Sequence, residues 1–323
     1  MKRTYDDLIK GLKNGDRVCL SKLISLVERD VSSIFKIIKS VKKVPNKIYA
    51  IGITGPPGAG KSTLTNQLIK KYRNMNLKIA VIAVDPSSPF TGGAVLGDRV
   101  RMQEHSLDTD VFIRSVGSRG DLGGLSSSTS SMIKLFDIFG MDIVIIETVG
   151  VGQTELDIIK ISDSVIVTLV PEAGDGIQAM KAGLMEIGDI FVVNKADRGG
   201  AEKLAREINY MVSLKQADSD WKTKVLTAQA ENDIGVIELV EEIQSFKEYE
   251  EGNGKLLYKR NQRKVSELNS MIEKRLKNEL DNLRETATFK ESVNKLESGL
   301  LEPENLVDKI IDLIKDNKWE KSF

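Results

Sequence analysis

Residues 48–63 read Ile48-Tyr49-Ala50-Ile51-Gly52-Ile53-Thr54, then Gly55-Pro56-Pro57-Gly58-Ala59-Gly60-Lys61-Ser62-Thr63. An apolar, β-rich run stops at Thr54, gives way to G-x-x-x-x-G-K-S, and resumes as an amphipathic helical pattern from Thr63-Leu64. That order of strand, glycine loop and helix is the context a phosphate-binding P-loop requires. Glycines let backbone N–H groups turn inward around an anion, and the helix N-terminus adds positive potential. Gly55, Pro57, Gly58, Ala59, Gly60, Lys61, Ser62 and Thr63 are therefore expected to bind a nucleotide's phosphates. Lys61 reaches the β- and γ-phosphates, and the Ser62 hydroxyl ligates Mg²⁺.

Outward from this stretch, short apolar runs alternate with helical patterns: Ile48–Thr54, Lys78–Val84, Val111–Arg114, Asp142–Glu147, Ser164–Val170, Asp189–Asn194 and Lys224–Thr227. The alternation predicts an α/β fold, a mostly parallel sheet with helices on both faces. Ahead of it, Tyr5–Val41 has helical spacing and predicts two N-terminal helices, ending in the basic linker Lys42–Lys47. Beyond Gly235 the strand signals stop. Leu257, Val265, Leu268, Ile272, Leu276, Leu280 and Leu283 then recur at helical intervals in a charged stretch. Such a stripe is either packed on its own domain or is a dimerisation arm. The expected division is 1–47, an N-terminal helical extension; 48–246, a P-loop domain; and 247–323, a C-terminal helical arm.

The run from Asp189 to Val193 ends in Asn194-Lys195-Ala196-Asp197, an N-K-x-D pattern at the carboxyl edge of the sheet, where open α/β folds bind ligands. A carboxylate only accepts, so Asp197 can take both N–H donors of guanine's N1/N2 edge, whereas adenine offers one donor and one acceptor there. GTP is preferred to ATP on this reading. Asn194, Lys195 and Asp197 form the base site, with Thr227-Ala228-Gln229 as candidate source of a backbone N–H for guanine O6.

Asp85 and Glu147 each end a predicted strand near the P-loop, where carboxylates suit Mg²⁺. Between them Pro86–Arg101 (PSSPFTGGAVLGDRVR) has the composition of a switch loop, with Asp98 and Arg101 its candidate effectors. Lys61, Asp98, Arg101 and Glu147 are thus the candidate catalytic set; Ser62, Asp85 and Glu147 are the candidate Mg²⁺ ligands. No Gln directly follows Gly150, and Gln153 comes three positions later, so intrinsic hydrolysis is expected to be slow and open to activation by a partner.

Composition narrows the alternatives. Forty-seven basic and forty-seven acidic residues cancel, so the chain lacks the basic excess of a nucleic-acid binder. It also has no apolar run approaching the roughly 18 residues of a membrane span, and its first residues carry no secretory pattern. A cytoplasmic location is expected. One cysteine, Cys19, and one histidine, His105, leave little for a thiol or imidazole metal site. Cys19 reads as a small buried hydrophobe and His105 as a surface or packing residue with no catalytic role.

Together GPPGAGKST, VDPSSPFTGGAVLGDRVRM, FIRSVGSRGDLGGL, ETVGVGQTE, EAGDGIQAMKAG and NKAD, spanning Ile51–Asp197, resemble the MeaB/ArgK family of GTPases. The resemblance implies a G-domain with an N-terminal helical extension and a C-terminal dimerisation arm. It also implies that Asp98 joins Ser62, Asp85 and Glu147 around Mg²⁺, and that a further switch at Asp175–Lys181 passes nucleotide state to a partner through Gln178 and Lys181; Gln153 is the third candidate partner-switch residue. That partner is an adenosylcobalamin-dependent acyl-CoA mutase, methylmalonyl-CoA mutase above all, which the GTPase serves as chaperone and gate. Two departures stand out: Asp121, where relatives often carry another polar residue, and Thr227-Ala228-Gln229 in place of the commoner T/S-S/C-A. Related dimeric GTPases deliver nickel, an alternative that the single Cys and His disfavour. A regulatory GTPase with another protein partner is the other alternative.

Overall fold

The computed structural model describes residues 4–30, 33–41, 44–86, 103–105, 107–118, 124–148, 157–171, 183–215 and 221–316. The chain opens with three helices, α1 (Tyr5–Lys13), α2 (Arg17–Arg29) and α3 (Ser33–Val41), where the apolar spacing predicts two. Thr4 starts α1 with a capping box: its hydroxyl accepts from the Asp7 N–H while the Asp7 carboxylate accepts from the Thr4 N–H. Asp16 caps α2 by accepting from the N–H groups of Val18 and Cys19. The missed break falls at Asp30, whose backbone is extended (φ −140°, ψ 100°). Val27, Val31 and Ile34 keep helical spacing straight through it, so periodicity alone does not see it.

Seven strands follow, interleaved with helices: β1 (Tyr49–Thr54), α4 (Lys61–Asn74), β2 (Ile79–Pro86), β3 (Val111–Ser118), α5 (Gly124–Phe139), β4 (Ile143–Glu147), β5 (Ser164–Leu169), α6 (Leu184–Ile187), β6 (Ile190–Val193), α7 (Ala201–Lys215), β7 (Val225–Thr227), α8 (Val236–Gly252) and α9 (Lys255–Arg284). The sheet order is β3-β2-β4-β1-β5-β6-β7, and every pairing is parallel. The α/β expectation holds, and all seven expected strands are present. β3 runs four residues beyond the predicted Arg114. Ser115 and Gly117 are poor strand formers alone, but Ile79–Pro86 pairs in register with Val111–Ser118 and carries them along.

Side chains alternate between two buried faces. Ala50, Ala80, Ile82, Val144 and Ile146 face Leu12, Leu20, Leu23 and Ile24 of the N-terminal helices and Met132 and Phe136 of α5. Ile51, Ile53, Val81 and Ile145 face Leu64, Leu68 and Ile69 of α4 and Leu239 and Ile243 of α8. Strands covered on both sides read as the continuous apolar runs seen in the sequence. Cys19 is buried at 1% exposure, as expected, with its S–H 3.3 Å from Asp16 Oδ2.

Two buried carboxylates fix the approach to β1. Asp137 accepts from the N–H groups of Asn46, Lys47 and Ile48. Asp163, just ahead of β5, accepts from the Ala50 N–H and pairs with Arg260 and Arg263 at the start of α9. Arg260 also donates to the carbonyls of Asn46 and Ile48, at 3.0 and 2.8 Å. The compact unit holding the sheet ends at Arg263. A second unit begins at Lys264 and contains α10 (Ala287–Glu297) and α11 (Pro303–Asp316). Among the described residues, no helix is long and apolar enough to cross a membrane.

Candidate functional site

β1 lies between β4 and β5, so the loop that leaves it emerges at the middle of the sheet's carboxyl edge. Its shape depends on glycine at two points. Gly55 has φ +139°, and a Cβ there would sit 2.0 Å from the Thr168 carbonyl oxygen. Gly60 has φ +86°, and a Cβ there would sit 2.3 Å from Asn194 Nδ2. Only a residue without a side chain passes both. Pro57 and Gly58 are exposed while Ala59 is buried beneath them, and Thr63 is exposed in the first turn of α4. Lys61, 6% exposed, donates from Nζ to the Gly55 and Pro56 carbonyls at 2.8 and 3.0 Å. Its ammonium is thus held against the loop where phosphates would bind.

Glu147 ends β4 beside this loop and is 4% exposed. It accepts from Ser62 Oγ at 2.5 Å and from Thr65 Oγ1 at 3.1 Å. The expected neighbours Ser62 and Glu147 are therefore brought together. Asp85 follows on β2, two residues beyond Ala83, which pairs with Glu147. That places Asp85 on the same edge of the sheet; its side chain lies outside what is described. Asp98, Arg101, Gln153, Gln178 and Lys181 lie outside the described residues as well. Mg²⁺ favours hard oxygen donors, and the hydroxyl and carboxylate at 2.5 Å beside the phosphate loop match that chemistry.

The base loop is locked to the P-loop by one side chain. Asn194, 2% exposed, donates from Nδ2 to the Ala59 carbonyl at 2.9 Å and accepts the Ala230 N–H on Oδ1 at 3.0 Å. Lys195 is in the left-handed region (φ +55°), which swings the chain so that Asp197 is exposed at the rim. The Ala196 N–H donates to the Ala228 carbonyl and the Ala228 N–H to the Val193 carbonyl, tying the two loops edge to edge. The Gln229 N–H donates to the Ile234 carbonyl at 2.9 Å, so neither Ala228 nor Gln229 brings an unshared N–H to guanine O6. Thr227 is exposed at the end of β7.

Sequence reasoning missed Thr65, which belongs to no motif. Its signal was a polar residue on the apolar stripe of α4, in step with Leu68 and Tyr72. His105, 8% exposed, sits in a 3₁₀ turn with Nε2 2.6 Å from Asn66 Oδ1. It packs on α4, as the packing reading expects, and burial lowers its pKa from the usual imidazole value.

A strand, G-x-x-x-x-G-K-S loop and helix at the centre of a parallel sheet, cross-bonded to an N-K-x-D loop through its asparagine, define the P-loop GTPase class. The family model described as "Methylmalonyl Co-A mutase-associated GTPase MeaB" matches residues 20–285, and the chain belongs to that family. It is 35% identical over 285 residues to the GTPase ArgK of Escherichia coli, covering 86% of each chain. It is 33% identical over 337 aligned positions to the mitochondrial methylmalonic aciduria type A homolog of Mus musculus, covering 97% of this chain and 80% of that one. A protein of Pyrococcus abyssi whose GTPase assignment is itself provisional is 43% identical over 309 residues, 95% of each chain. Among solved structures, that of a LAO/AO transport system kinase aligns over 98% of this chain and 100% of its own, with TM-score 0.69 and 26% identity. The protein is a GTP hydrolase, converting GTP to GDP and phosphate.

Proposed function

We propose that this GTPase is Mg²⁺-dependent and acts as a chaperone and gate for an adenosylcobalamin-dependent acyl-CoA mutase, methylmalonyl-CoA mutase being the foremost candidate. The family match over residues 20–285 carries the reading, because it takes in most of α2, all of α3 and the start of the C-terminal arm as well as the nucleotide loops.

Phosphoryl transfer asks the protein mainly to position groups and to stabilise charge on the transferring oxygens. The P-loop amides and Lys61 would cradle the β- and γ-phosphates, and Asp197 would accept the two guanine N–H donors. Asn194 keeps the base loop at a fixed distance from the P-loop by bonding to both Ala59 and Ala230. Ser62, Asp85, Asp98 and Glu147 would hold Mg²⁺, which when bound neutralises charge on the phosphate oxygens. Arg101 would add positive charge to the switch, and Gln153, Gln178 and Lys181 would report nucleotide state to the mutase. The arm at 247–323 would join two copies into a homodimer, in the cytoplasm.

The deciding assay measures turnover of GTP, with ATP as control, in the presence and absence of purified methylmalonyl-CoA mutase. The expected result is slow turnover selective for GTP and accelerated by the mutase. GTP turnover indifferent to the mutase would remove the chaperone reading and point to another protein partner.

A further inference from the structure

Both oxygens of the Glu147 carboxylate accept from one helix, Oε1 from Ser62 and Oε2 from Thr65. Ser62 is a P-loop residue whose hydroxyl has a role of its own. Thr65 is fully buried. A threonine inside a helix commonly turns its hydroxyl back onto the carbonyl four residues earlier. Here the hydroxyl instead bonds across to the end of β4, from a position where the stripe of Leu64, Leu68 and Ile69 packs against the sheet.

The length of residue 147 gives that bond its purpose. Glutamate carries one more rotatable bond than aspartate, and each such bond adds staggered alternatives for its carboxylate. A contact from Ser62 alone fixes one oxygen and leaves the carboxylate able to pivot about it. A second contact on the other oxygen fixes its plane as well. Both donors sit on the first turns of α4, the helix that leaves the P-loop, so the carboxylate is registered to the phosphate loop itself.

We propose that Thr65 is a positioning residue for GTP hydrolysis: it holds Glu147 so that the carboxylate and the Ser62 hydroxyl present oxygen donors together to the Mg²⁺ that accompanies GTP. This rests on the Mg²⁺ reading above. Partners that orient a metal-ligating carboxylate typically affect metal affinity by about 10–100-fold.

The test compares Thr65→Val, which keeps the shape and loses the donor, with Thr65→Ser, which keeps the donor. GDP affinity is titrated against Mg²⁺ by calorimetry, with EDTA as the zero point, and GTP turnover is followed over the same range. Thr65→Val is expected to need about tenfold more Mg²⁺ for half-maximal tightening of GDP and for half-maximal turnover. Its GDP affinity in EDTA stays that of the wild type, and Thr65→Ser returns the Mg²⁺ requirement to near the wild-type value. In a Glu147→Gln background, Thr65→Val is expected to add nothing, because its effect runs through the carboxylate. A wild-type Mg²⁺ half-point in Thr65→Val, or a shift that persists undiminished beside Glu147→Gln, overturns the assignment alone. A wild-type protein whose GDP affinity and GTP turnover are both the same in EDTA and Mg²⁺ overturns the Mg²⁺ reading and this one with it.

Discussion

The phosphate loop depends on absent atoms as much as on present ones. At Gly60 the positive φ and the 2.3 Å approach of Asn194 Nδ2 mean that even a methyl group would push apart the side chain that joins the two nucleotide loops. Gly60→Ala is therefore expected to weaken GTP and GDP alike by at least about tenfold, since a strained backbone and a broken buried hydrogen bond each cost about 1–3 kcal/mol. Lys61→Ala is expected to abolish turnover. Equilibrium binding of a fluorescent GDP and steady-state hydrolysis check the pair, and normal turnover in Lys61→Ala would dismiss the site assignment. This scale was the most legible in the sequence, because a P-loop is a local device: strand, glycines, lysine and hydroxyl are contiguous. N-K-x-D was legible as a pattern, but the bonds of Asn194 to residues 135 and 36 positions away were not. Thr65 was invisible for the same reason, since a helical threonine acquires meaning only from what lies across from it.

Among the elements, the seven strands announced themselves by continuous apolar runs, while their spatial order did not. Parallel neighbours are separated by crossovers, and nothing local says that β4 inserts between β2 and β1. The lower edge of the sheet shows what such packing does to charge. Asp189, just ahead of β6, accepts the Val165 N–H at 2.8 Å, with Lys259 4.0 Å away and Glu250 nearby. Burial outweighs the lysine and lifts its pKa to about 6. A carboxyl raised on folding binds its proton more tightly in the folded state than in the unfolded one. Its contribution to stability is therefore full below its unfolded pKa, near 4, and is lost as pH rises through about 6. Urea midpoints measured across that interval should carry a falling component from Asp189. Asp189→Asn still accepts from Val165 and should flatten it; an unchanged slope would place the titration elsewhere.

At the scale of the molecule, every nucleotide-loop residue described lies in the unit that ends at Arg263. Arg260 and Arg263 close that unit by pairing with Asp163. A chain ending at Arg263 is thus expected to fold and to turn over GTP within about twofold of the full-length rate, as a domain with its own core does. On the proposed dimer reading it sediments as a monomer where the full chain does not. A folded truncation unable to hydrolyse GTP would put part of the site beyond Lys264. The arm was the least legible region: its stripe, with Leu268 54% exposed and Ile272 41% exposed, told of an amphipathic helix without telling what covers it. The parallel sheet also sets a timetable for synthesis. β1 leaves the ribosome early, yet its register partners begin only at Ile143 and Ser164, and the base loop is tied down only once Ala230 has emerged. A nascent chain carrying a complete P-loop sequence therefore has no nucleotide site. GTP stabilises the finished fold by mass action and offers nothing to the growing one, whose first strand must wait about 5–20 seconds for its partners, at roughly 5–20 residues per second.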